Sequence, residues 1–121
     1  MPRVTAPVTT VYLADQLSTV LDFVKRFFVD TTPPHRVFRI RTLLNSCIQH
    51  LREPDKFPHN DMLHFLQVTL NQIRVVDGHN PRLKDQPGYQ HAYEASLNTL
   101  TQVTQLAILH NLLTELEDED Q

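Results

Sequence analysis

The sequence predicts an all-α fold, an antiparallel four-helix bundle with a long third connection and an extended C-terminal helix. Three observations carry this reading. Glycine occurs only at Gly78 and Gly88, too seldom for the frequent tight turns of a sheet protein. Apolar residues recur at helical spacing in four separate stretches. Prolines fall between those stretches and never inside them, as their effect on helix interiors demands. A chain of 121 residues can bury one real core but not two. Residues 9–116 therefore read as a single domain, after a loose arm over 1–8 and before an acidic tail over 117–121.

The arm, MPRVTAPVTT, is small, polar and Pro-containing, and ends at a helix cap on Thr9 or Thr10. From Val11 to Val29 the positions Leu13, Leu17, Val20, Leu21, Val24, Phe27 and Phe28 form one stripe, with Phe23 at its edge. The spacing predicts the first helix there, with its three phenylalanines as the main contribution to the core. DTTPPHR separates it from the second: Thr32 is placed as N-cap and Pro33 at the first helical position, where a missing N–H costs nothing. That helix runs to about Arg52 on a stripe of Val37, Ile40, Leu43, Leu44, Cys47, Ile48 and Leu51, and Pro54 stops it by disfavouring helical geometry at Glu53.

Asn60 or Asp61 caps the third helix, whose stripe is Met62, Phe65, Leu66, Leu70, Ile73 and Val76. Gly78 is placed at its end as a left-handed C′ residue. The β-branched content of Val68–Val76 also admits a strand. Residues 78–91 then read as a connection near the upper length for a structureless loop in a compact domain.

The last helix, Ala92–Leu116, swaps faces. Tyr93, Leu97, Leu100, Val103 and Ala107 share one sector, with Glu94, Asn98, Gln102 and Gln105 opposite. Beyond Gln105, the residues Leu106, Ile108, Leu109, Leu112, Leu113 and Leu116 fill the sector that was polar before. A helix that is apolar on two faces needs two partners. Three arrangements would supply them: a kink near Gln105, a helix wrapped on both sides by its own chain, or a second half buried in another molecule.

The formal charge of −3 hides an asymmetry, because Glu115, Glu117, Asp118, Glu119 and Asp120 crowd the C-terminus and leave the body faintly basic. Carboxylates at a helix C-terminus oppose its dipole, so this tail is expected to fray into a solvated extension. Arg outnumbers Lys eight to three, and guanidinium is the planar donor suited to carboxylate and phosphate. The start of the second helix, PPHRVFRIR, crowds His35, Arg36, Arg39 and Arg41 where the dipole is already positive. It is a candidate anion site, unless acids elsewhere in the fold pair those arginines.

Few chemistries survive. HNDMLH offers His59, Asp61 and His64 as metal ligands, but His64 lies opposite its helix's stripe and no inward carboxylate completes a site. Cys47 sits in a core stripe. No Ser-His-Asp set, carboxylate pair or Gly-rich phosphate loop is present. Arg74 and His79, in RVVDGH, resemble the arginine–histidine signature of HEPN-type helical ribonucleases. That resemblance implies RNA cleavage with the histidine in acid–base work beside the 2′-hydroxyl.

No run approaches the ~20 apolar residues of a membrane span. The lone cysteine and the absence of a leader-like pattern point to a soluble protein of the cell interior. The expected function is non-enzymatic and cofactor-free: an interaction, adaptor or regulatory module that binds a protein partner or itself. Self-association would run through Leu106, Ile108, Leu109, Leu112, Leu113 and Leu116. The alternatives are a nucleic-acid-binding subunit using Arg36, Arg39, Arg41 and Arg52, and the HEPN-like ribonuclease.

Overall fold

A computed structural model describes residues 8–53 and 61–119, with side chains over 10–53 and 61–109. Four helices follow one another: α1 (Val8–Phe27), α2 (Pro34–Arg52), α3 (Met62–His79) and α4 (Tyr89–Glu119), with a 3₁₀ turn at Pro81–Asp85 before the last. Helix α1 packs on α2 and α4, and α3 packs on the same two. Neighbours run antiparallel. Arg52, at the end of α2, reaches Asp15 and Ser18 near the start of α1, and Cys47 contacts the carbonyl of Met62 at the start of α3.

The stripes do what their spacing predicts. Leu13, Leu17, Val20, Val24 and Phe28 of the α1 region, Ile40, Leu44 and Cys47 of α2, and Leu66 and Ile73 of α3 are all buried. Phe23, placed at the stripe's edge, is buried as well. From α4 come Leu100, Val103 and Ala107.

The element boundaries need several corrections. Val8, Thr9 and Thr10 already belong to α1, so neither threonine caps it from outside. The helix ends at Phe27 and not Val29, because the Thr31 hydroxyl donates to the Phe27 carbonyl at 2.8 Å and so replaces the helical continuation. Thr32 is not the N-cap of α2. That place falls to Pro33, without a side-chain cap bond, and Pro34 opens the helix. The strand reading of Val68–Val76 fails, since the whole stretch lies inside α3. There Thr69 is buried and donates to the Phe65 carbonyl at 2.7 Å. Gly78 does not terminate α3 in a left-handed conformation; the helix runs through it to His79.

The connection read as 78–91 is shorter and ordered. Asn80 caps the 3₁₀ turn by accepting from the Arg82 amide and donates to the Thr31 carbonyl at 3.0 Å. Leu83 is fully buried. Gln86-Pro87-Gly88-Tyr89 then closes through the Tyr89 amide on the Gln86 carbonyl, with Gly88 at φ +78°. Proline followed by a positive-φ glycine is the pattern of a type II turn. It starts α4 at Tyr89, one turn before the expected Ala92, and brings a fully buried tyrosine into the core.

Tyr89 joins an aromatic cluster with Phe23, Phe27 and Tyr93, and Phe28 adds an edge contact to Phe23. Its hydroxyl donates to Asp77 at 2.8 Å. Burial first, then the hydrogen bond and charge of Asp77, push the Tyr89 phenol far above its ordinary range, so it stays a donor. Because Tyr89 lies on Phe27 and Tyr93 near Phe23, α4 descends along α1 in a fixed antiparallel register. Helix α4 continues to Glu119, beyond the expected end at Leu116.

Two glycine substitutions test these corrections. A Cβ at Gly78 meets nothing within 4 Å, so Gly78→Ala should stabilise the fold by about 0.5–1 kcal/mol through its helix propensity. Gly88→Ala should destabilise by about 1–2 kcal/mol because of its positive φ. Urea midpoints would show the two shifts with opposite signs. A destabilising Gly78→Ala would restore that residue as a helix stop.

Candidate functional site

Apart from a groove of about 260 Å³ between α1 and α4, lined by Asp22, Arg26, Ser96 and Thr99 among others, two regions at opposite ends of the bundle carry the sequence-predicted site residues. The first is a cavity of about 510 Å³ lined by Thr31, Thr32, Pro33, Arg36, Val76, His79 and Asn80. The α1–α2 turn supplies its threonines, the first turn of α2 supplies Arg36, and the end of α3 supplies His79. Beside it a groove of about 250 Å³ is lined by His35, Arg36, Arg39 and Gln72. Arg36 borders both.

The fold thus gathers three of the four residues in the sequence-based anion site, His35, Arg36 and Arg39, on the flank of α2 that faces α3. Arg41 belongs to the other flank. There Arg52 pairs with Asp15 at 3.6 Å and reaches Ser18 at 3.4 Å. Among the described residues neither Arg36 nor Arg39 has an acid within ion-pair distance, whereas Arg52 fits the expected alternative of an arginine paired with an acid elsewhere in the fold. The same split divides Arg36, Arg39, Arg41 and Arg52, which lie on two flanks and make no single face for a nucleic-acid backbone.

His79 and Asn80 reach the cavity because α3 continues through Gly78. Arg74 and His79 thus stand on one continuous helix. His79 lines the cavity next to α2, and Arg74 opposes the upward shift that burial and then the Asp77 charge impose on the Tyr93 phenol.

The second region is the far half of α4. Leu106, Ile108 and Leu109 are 38, 41 and 52% exposed, while Ala107 between them is buried. The helix has no break at Gln105, so the face swap is not resolved by a kink. Nor does the described part of the chain wrap these three side chains. The side chains of Leu112, Leu113 and Leu116 lie outside the described residues. Val11 and Tyr12, near the start of α1, are about half exposed at the same end of the bundle. Sequence reading passed over both; their signal was an apolar residue and an aromatic lying off the α1 stripe.

The chain matches no protein-family model, no curated protein and no solved structure.

The remaining candidates have plain positions. His64 and Asp61 are exposed, and His59 lies outside the described residues. Among the described residues no three His, Cys, Asp or Glu side chains converge as metal ligands. Among them, too, no helix is long and apolar enough to cross a membrane. Cys47 is fully buried in the core, and burial pushes its thiol up from 9.0 to about 12.

A group with a raised folded pKa contributes its stability below the unfolded value and loses it as pH climbs toward the folded one. The Cys47 contribution should therefore be intact at pH 8 and decline from about pH 9 upward. Native protein should react with a thiol reagent at pH 8 only as fast as it opens globally. Rapid stoichiometric labelling without denaturant would place the thiol outside the core.

Proposed function

We propose that this protein is a non-enzymatic interaction module that forms a homodimer through the second half of α4. The observation that supports this most directly is the exposure of Leu106, Ile108 and Leu109 on one continuous stretch of α4. An isolated exposed leucine is ordinary, but adjacent ones on one helix mark a contact surface.

The sequence of the overhang favours a second copy as the occupant. Leu106, Leu109, Leu113 and Leu116 are spaced three, four and three apart, the seam along which two helices interlock. A twofold contact needs one self-complementary patch and no second surface. Charge selects the orientation. A parallel pair would bring two clusters of Glu115, Glu117, Asp118, Glu119 and Asp120 together, whereas an antiparallel pair sends them to opposite ends. The antiparallel dimer is the arrangement adopted here.

Light scattering behind size-exclusion chromatography should give a dimer mass for the native chain at micromolar concentration. The double substitution Leu106→Asp and Leu109→Asp should halve that mass with helical circular dichroism and melting cooperativity retained. As a control, Phe38→Asp, on the 71% exposed Phe38 of α2, should leave the mass unchanged. A native chain that is monomeric throughout, or a double variant that stays dimeric, would refute the assignment.

A further inference from the structure

We propose that the cavity between the α1–α2 turn and the end of α3 binds a dianionic phosphate group, free or as the head of a small phosphate monoester. Its two cation-capable side chains, Arg36 and His79, come from different helices and line one space of about 510 Å³. That volume is within the range of small-molecule sites. No carboxylate lines it, and neither side chain has a carboxylate partner among the described residues.

Arg36 also stands in the first turn of α2, where a cation opposes the helix dipole. An anion in the cavity would offset the cost through the side chain alone, since Pro33 and Pro34 carry no N–H and the Arg36 and Val37 amides bond the Pro33 carbonyl.

A second observation is independent of charge. Thr32 lines the cavity and is nine-tenths buried. Thr31 gives its own proton to the Phe27 carbonyl at 2.8 Å, so its oxygen is the acceptor for the Thr32 hydroxyl, at 3.4 Å. That bond is long against the usual 2.5–3.0 Å of an O–H···O contact, so the Thr32 hydroxyl would gain by turning to an anion oxygen, beside a guanidinium suited to bidentate phosphate binding. Asn80 is occupied at both ends of its amide, by the Thr31 carbonyl and the Arg82 amide, and serves as a positioning residue that holds the two walls together. The basic side chains continue only into the adjoining groove of His35 and Arg39, while Arg41 and Arg52 lie on the other flank of α2, a short extent that suits a small phosphate.

The full chain, in phosphate-free low-salt buffer, would be titrated with inorganic phosphate and with glycerol 3-phosphate while backbone amide shifts are followed by NMR. Saturable shifts at Thr32, Arg36 and His79 are expected for both. Tighter binding of the ester would assign the site to monoesters, and equal binding to the phosphate group alone. Arg36→Met should weaken affinity about tenfold, the loss of one charge-assisted contact. His79→Gln should weaken it severalfold, and Arg41→Met should leave it within about twofold. Should Arg36→Met lose helicity, His79→Gln decides, since His79 is exposed at a helix end. Non-saturating shifts, or an equal loss in Arg41→Met, would overturn the site.

Discussion

The buried phenol of Tyr89 is the contact on which the rest of this bundle depends. It is fully enclosed, lies against Phe23 and Phe27 of α1, and donates its proton to Asp77 of α3. One side chain thereby ties the first turn of α4 to both neighbouring helices. A buried hydrogen bond to a carboxylate is among the stronger single contacts available, about 1.5–3 kcal/mol, and the ring pairs add to it. With the start of α4 held there, the level of its later residues along α1 follows.

The register explains why the two ends of the bundle differ. At the Tyr89 end the connections are short or structured, and they are stitched across by Asn80 on the Thr31 carbonyl. Four helix ends converge there, and the space they leave is polar and basic. At the other end the apolar sector that begins at Leu106 is left exposed by the described residues, at Leu106, Ile108 and Leu109. Neither region arises from an unusual motif. Each is what remains when helices of 20, 19, 18 and 31 residues are aligned from a single anchored corner.

Most of the architecture was legible because it rests on periodicity. Stripes such as Leu13–Leu17–Val20–Val24 or Val37–Ile40–Leu44–Cys47 state both the helix and its buried face. What escaped was local chemistry that competes with simple rules. Gly78 reads as a stop signal, but the stop lies two residues on, where Asn80 and Pro81 begin a 3₁₀ turn. Pro33 and Pro34 fit the start of a helix equally well, and the structure uses the second. Tyr89 was hidden because Pro87 and Gly88 look like loop residues, when together they make the turn that launches α4. The proposed anion site is legible in half: Arg36 belongs to a dense local run, whereas His79 and Thr32 join it in one cavity only through tertiary folding, which no spacing announces.

Because the basic cavity and the apolar overhang lie at opposite ends of helices about 30 Å long, they share no residue and no intervening loop. Substitutions that far apart, without common partners, ordinarily act independently. Coupling between the sites would need an element with two arrangements that both ends can bias, and α4 is the one helix that runs from one region to the other. Its first turn is clamped by Tyr89 and the aromatic cluster, which resists sliding or rotation about its axis. A dimer contact on Leu106 and Leu109 would therefore leave the cavity's shape unchanged, and an anion beside Arg36 would leave the overhang's shape unchanged. On that proposal the bundle would act as a spacer between two surfaces, and the clamp that sets the register of α4 would keep them separate.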